Sequence, residues 1–384
     1  LVRRMGTSSV LLRSQLVMDR RTKQVSRRAK PGQIAIIDHS DVDELAAVEL
    51  IEAKVSAVIN SSAFLTGLYP AAGAKRLLEA GILLYQNVEP LFERSEGEEV
   101  LYEGCEAAIA GTRLFVRPAK EWIPCSLLIP VTHEQIEKLM EEAAKQSKTV
   151  LSSFLDNTFE YVAREKALIL EPLSKVSLRT RMAERHVVVV SRGKYYKEDV
   201  QLIRGYIDRR QPVIIAVDGA ADALLDLGIM PDLIIGDMDS LSDQALCCGA
   251  ELVVHAYLDG RAPGGERVEA LGLPFVRLPA PGTSEDAALL LADDQQASLI
   301  VSVGTHSSMI DFLEKGRKGM GSTLLTRAKL GSKLIDARGL SQLTQMDEVV
   351  SPPVRQPRLF ETLYTMVKEW RAQREQSEHR DSGI

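Results

Sequence analysis

The sequence predicts an α/β protein: a doubly wound, mostly parallel sheet, preceded by a small α/β domain and a long helical connector. Three features carry that expectation. From about residue 186 to 340, strand-like apolar runs alternate with helical stretches, the rhythm of parallel strands packed by helices. Two of the runs, 187–190 and 213–217, are continuously apolar, as in strands covered on both faces. Between 132 and 170 there is neither Gly nor Pro, and an apolar stripe follows helical spacing.

A chain of 384 residues exceeds one ordinary core and suggests two or three domains. Apolar residues make up 45% and charged residues 26%, the balance of a globular protein that meets water. A net charge of −6 excludes a wholesale nucleic-acid coat, so no specific nucleic-acid partner is expected. No run approaches the roughly 20 apolar residues that cross a bilayer. The start is broken by Arg3, Arg4 and Arg13, which makes it a poor secretory signal. Cys105, Cys125, Cys247 and Cys248 lack ligand-like spacing, and reduced thiols are the simple reading. A cytoplasmic protein is expected.

In chain order, residues 1–30 hold nine Lys and Arg against one acid, Asp19. They read as a basic, partly disordered leader, or as an arm for anionic lipid or nucleic acid. Residues 31–120 alternate strand and helix (34–37, 42–54, 55–59, 74–80, 82–85) and end in shorter strands, a small α/β domain. Asp38, Asp41 and Asp43 follow its first strand; a ligand site and a helix N-cap are both open, and the N-cap is the simpler. Residues 121–182 form the helical connector, packed on another helix or a second subunit, with a homodimer expected. Residues 183–345 form the sheet domain, with strands at 186–190, 213–217, 233–235, 252–255, 275–278, 299–303 and 333–335. After the prolines at 352, 353 and 357, apolar residues recur at three- and four-residue steps (Leu359, Leu363, Val367, Trp370). That pattern predicts a C-terminal amphipathic helix within 346–384.

The chemistry gathers behind the strands. Doubly wound sheets bind ligands beyond the carboxyl ends of their strands, and there lie Asp218, then Asp237 and Asp239 in Gly236-Asp237-Met238-Asp239-Ser240, then Asp259. Two acids in a tight loop can share a hard cation, and Mg²⁺ prefers a few carboxylates plus phosphate oxygens and water. Positive charge for a triphosphate comes from Lys315, Arg317 and Lys318, just before a helix near Ser322. The nucleotide contacts expected on this edge are Arg192, Gly193, Gly219, Gly236, Ser240, Ser284, Gly304, Thr305, His306, Lys315, Arg317 and Lys318.

Asp218-Gly219-Ala220, Leu224-Leu225-Asp226-Leu227-Gly228-Ile229 and Pro231-Asp232-Leu233-Ile234-Ile235-Gly236-Asp237-Met238-Asp239-Ser240 together resemble the thiamin pyrophosphokinase signature. The resemblance implies Mg²⁺ and ATP as ligands and transfer of a pyrophosphoryl group to a hydroxyl with release of AMP. Asp218, Asp237 and Asp239 would inherit the metal and catalytic roles. The family's next acid falls at Thr283-Ser284-Glu285-Asp286, where Glu285 or Asp286 must stand in. The segment His255-Ala256-Tyr257-Leu258-Asp259 resembles a loop of archaeal pterin diphosphokinases and adds Asp259 to the metal set. After Ala337 nothing resembles the thiamin-holding β-sandwich, and Gly304-Thr305-His306-Ser307-Ser308-Met309 replaces the family's Gly-Gly-Arg-x-Asp-His element. A longer resemblance, to SteA-like cytokinetic-ring proteins, rests on Asp19-Arg20-Arg21-Thr22-Lys23, Pro31-Gly32-Gln33-Ile34-Ala35-Ile36-Ile37-Asp38-His39, Thr283-Ser284-Glu285-Asp286, Val303-Gly304-Thr305-His306 and Lys315-Gly316-Arg317-Lys318-Gly319-Met320. It implies a role in septation with a membrane-bound division partner, the nucleotide site serving binding. An active diphosphokinase on thiamin or a related hydroxymethyl heterocycle is the alternative.

Overall fold

In a computed structural model, residues 10–87, 91–92, 101–173 and 175–344 are described. The expected C-terminal amphipathic helix lies outside them. The chain up to Gly339 is one compact unit.

Its first part is a closed barrel. The elements run β1 (Val10–Met18), α1 (Thr22–Arg28), β2 (Ile34–Ile37), α2 (Glu44–Glu52), β3 (Ala57–Asn60), α3 (Gly73–Glu79), β4 (Leu83–Asn87), β5 (Glu106–Ala110), β6 (Arg113–Arg117) and β7 (Ile123–Val131). Strands β1 to β4 pair in parallel, while β4, β7, β6, β5 and again β1 close the circle antiparallel. The two-residue period of a strand divides each one between two cores. Ile34 and Ile36 point into the barrel with Leu16, Ile59, Ile109 and Leu114. Ala35 and Ile37 point out, beneath α1 to α3, with Val25, Leu50 and Leu77. Two expectations are corrected here. Residues 10–28 are no disordered leader: β1 pairs on both edges and Leu16, Val17 and Val25 are fully buried. The connector begins after β7, since 123–131 complete the barrel.

The sequence leaves one or two helices open here; helix α4 (His133–Leu170) is a single unbroken one. Thr132 starts it with a capping box to Gln135. At 1.5 Å per residue it spans roughly 57 Å. Near its start Ile136 joins the outer barrel core; further on, Asn157 donates to the Lys318 carbonyl and Met320 N–H donates to Thr158.

The second part runs β8 (His186–Val190), α5 (Tyr196–Leu202), α6 (Arg204–Arg210), β9 (Val213–Val217), α7 (Ala220–Asp226), β10 (Leu233–Gly236), α8 (Asp243–Leu246), β11 (Glu251–Ala256), α9 (Gly265–Ala270), β12 (Phe275–Pro279), α10 (Ser284–Asp294), β13 (Leu299–Val303), α11 (Met309–Glu314), α12 (Gly321–Leu330) and β14 (Leu334–Asp336). All seven strands are parallel, in the order β12-β11-β10-β9-β8-β13-β14. Helix α10 covers one face, burying Ala287, Leu289 and Leu291 against Val187, Val189, Ile215 and Ile235. The doubly wound α/β architecture predicted from the sequence is therefore present. The order reverses between β8 and β13, the switch point where such sheets open a crevice. No helix among the described residues is long and apolar enough to cross a membrane.

Candidate functional site

A cleft of about 630 Å³ lies at this switch point, between the sheet and the barrel. From the sheet it receives Arg192, Asp218, Gly219, Asp237, Asp239, Ser240, Glu285, His306 and Lys315, all expected from the sequence. From the barrel it receives Arg20, Thr22, Lys23, Asp38, His39, Asp43 and Glu49.

Close backbone packing builds the floor. Gly304, at φ +65°, is in the left-handed region that glycine adopts without strain, and a Cβ there would strike the Ser191 carbonyl. The loops after β8 and β13 can meet only because that side chain is absent. At Gly236 a Cβ would collide with the Asp218 carboxylate, so Asp218 fits against the end of β10. Asp218 and Met238 themselves have positive φ (47° and 62°), uncommon for non-glycine residues and concentrated at functional loops. Met238 is buried, which leaves Asp237 and Asp239 exposed on either side of it.

Charge is unevenly matched across the cleft. The Asp237 N–H donates to Asp218 Oδ1 at 2.9 Å and the Asp239 N–H to Asp237 Oδ1 at 3.1 Å, but none of the three carboxylates has an ion-pair partner among the described residues. Burial, then the neighbouring Asp237, pushes the Asp218 carboxyl up to about 7. Glu285 is different. Burial opposes its charge, yet His306 (Nδ1 at 2.6 Å, N–H at 2.7 Å) and Lys315 at 3.6 Å outweigh it and hold the carboxyl below its ordinary range. Arg192 is committed to Glu49 of α2, and Arg27 to Asp222 (2.9 Å) and the Ser240 carbonyl. On the barrel side, Thr22 Oγ1 and His39 Nδ1 lie 2.9 Å apart, with Asp43 3.6 Å from His39 Nε2.

Other expected site residues are engaged elsewhere. Asp286 is no metal ligand: it completes the capping box of α10 with Thr283 and accepts the Ser322 and Thr323 hydroxyls at 2.9 and 3.0 Å, where burial raises its carboxyl. Those hydroxyls sit at the start of α12, so that helix end faces Asp286 instead of an anion. Thr305 accepts from Arg327 at 2.8 Å, the Lys318 carbonyl accepts from Asn157 of α4, and Lys318, Gly193 and Gly304 do not line the cleft, the two glycines supporting its floor. Asp259 pairs with Arg261 at 2.7 Å; with Ser284 and Arg317 it borders a second cavity of about 820 Å³, which Asp237 and Asp239 also reach. Among the described residues, no three His, Cys, Asp or Glu side chains form a ready-made metal cage. Asp41 and Asp43 serve structure: Asp43 caps α2 through the Ala46 N–H, and Asp41 accepts from Thr66.

Residues 206–253 match the thiamin pyrophosphokinase catalytic domain, and that stretch contains Asp218, Asp237 and Asp239. The sheet part thus carries a segment of thiamin pyrophosphokinase catalytic-domain type. A solved structure similar to this chain is thiamine pyrophosphokinase from Bacillus subtilis, 22% identical, with a TM-score of 0.24. The likeness covers 39% of this chain and 60% of that one, so the chain spans less than two thirds of that enzyme's length. No curated protein matches.

Proposed function

We propose that the cleft binds a nucleoside triphosphate or related diphosphate together with Mg²⁺, and that the protein uses this site in a SteA-like role in cell division. The observation that carries the binding reading is the set of three carboxylates, Asp218, Asp237 and Asp239, gathered at the switch point of a parallel sheet with no ion-pair partner among the described residues. By themselves they repel a polyphosphate; a divalent ion between them and the phosphates reverses the sign. The donors suit a hard cation, because they are carboxylates alone, and Mg²⁺ takes its remaining ligands from phosphate and water and does not require a protein cage. When bound, the ion would neutralise the phosphates and orient them. Glu285 fixes His306, and Lys315 brings a positive charge to the same cleft. The septation role and its membrane-bound partner rest on the sequence resemblance.

Asp239→Asn keeps shape and removes one charge. Its expected effect is a loss on the order of 1–3 kcal/mol of Mg²⁺–ATP binding in calorimetric titration, the scale of a charged hydrogen bond. Tight ATP binding indifferent to both Mg²⁺ and the substitution would sink the assignment.

A further inference from the structure

We propose that the N-terminal barrel completes the phosphate site, with Lys23 of α1 and the Ser191 hydroxyl at the end of β8 contacting the phosphates of the metal-bound ligand. The inference rests on the reading of the cleft as a polyphosphate site and adds a function for the barrel, which the matched catalytic segment does not include.

Two observations carry it. The first is Ser191. The residue borders the cleft and is 1% exposed, and its buried Oγ has no hydrogen-bond partner among the described residues. A buried hydroxyl left unpaired is destabilising, and a phosphate oxygen in the cleft would satisfy it. The second is the distribution of cations. Lys23 and Arg27 lie one turn apart on α1, hence on one face of it. Arg27 is held by Asp222 and Ser240, and Arg192 by Glu49, so these two guanidinium groups bind the barrel to the sheet. Lys23 makes no ion pair among the described residues, although it is half-buried beside two arginines. Asp218 and Asp237, which line the same cleft as Lys23, are the charges that favour it. A lysine placed in this way is a point charge suited to a phosphate oxygen.

The test is calorimetric titration of the full chain with two probes, Mg²⁺–ATP and Mg²⁺–pyrophosphate, using wild type, Lys23→Met, Lys23→Arg, Ser191→Ala and Asp237→Asn. Thermal unfolding serves as the folding control. Lys23→Met is expected to weaken both probes about tenfold or more, the factor that one charge-assisted hydrogen bond supplies. Lys23→Arg should restore part of the loss, and Ser191→Ala should weaken both probes several-fold; if Lys23→Met does not fold, Lys23→Gln, which keeps a polar side chain without the charge, decides the barrel's part. Wild-type affinity in Lys23→Met and Ser191→Ala, with binding lost in Asp237→Asn, overturns the barrel's part and leaves the cleft reading intact. Weakening of ATP but not pyrophosphate overturns the phosphate contact, because Lys23 would then touch the nucleoside. Wild type that binds neither probe removes both readings.

Discussion

Glu314, at the end of α11, is half-buried near Asp43, Glu44 and Asp311, and burial followed by these like charges pushes its carboxyl up to about 7, with Lys194 opposing them. The folded protein therefore holds this proton more tightly than the unfolded chain, whose glutamate titrates near 4.5. Stability from this group is fully present below pH 4.5, falls as pH rises toward 7, and stays low above it. Glu314→Gln should raise stability at pH 8 by on the order of 1–2 kcal/mol and leave it little changed at pH 4. Urea titrations at both values check this, and an equal gain at both would contradict it. Asp311 behaves oppositely. Burial resists its charge, but Arg338 at 2.8 Å and the Ser308 N–H at 2.9 Å bring the carboxyl down to about 2. Its contribution is present above pH 3.8 and lost as pH falls toward 2, so Arg338→Met should destabilise at pH 6 and have little effect near pH 2. Denaturant titrations of that variant at the two values read it directly. Residue-scale legibility was mixed. Asp218, Asp237 and Asp239 were readable because a parallel strand delivers its following residue to one known edge. Asp286 was misread although Thr283 three positions earlier offered a capping box, a local pairing that a search for metal ligands passes over. Lys23 and Ser191 gave no such signal, because their roles depend on how the barrel meets the sheet.

Helix α4 separates two kinds of apolar residue at element scale. Phe154 is 2% exposed and Phe159 is 61% exposed, five positions apart on one helix. Phe154→Ala should cost about 3–5 kcal/mol through lost contact and a cavity, whereas Phe159→Ser should stay within about 0.5 kcal/mol. Chemical denaturation of both variants distinguishes them, and comparable losses would mean that Phe159 is covered in solution. The strands of the sheet were legible to within a residue or so at 186–190, 213–217 and 299–303, because their short runs rich in Val and Ile leave helix no advantage. Strand β1 was not. Arg13, Ser14 and Gln15 interrupt its alternation, and charge concentrated before residue 30 reads as a leader when the pairing partner lies near residue 108.

For the whole molecule, the barrel stands on β1. Removing residues 1–28 would strip one edge from both β2 and β5 and take Leu16, Val17 and Val25 out of their cores. Hydrogen exchange should then show protection lost in β2 to β7 and retained in β8 to β11; protection kept in β2 to β4 would mean that the barrel closes without its first strand. The two-part architecture was visible from the rhythm of strands, but closure was not, because ring topology depends on a pairing between distant segments. That pairing also has a consequence for synthesis. Val10 finds Ala110 and Gln15 finds Glu106, so β1 leaves the ribosome long before its antiparallel partner exists. At roughly 5–20 residues per second that wait is about 5–20 seconds, during which one edge of a nine-residue strand stays open to any neighbouring chain. The charge at Arg13 in mid-strand then acts as a gatekeeper for a nascent protein, guarding the interval between translation and ring closure.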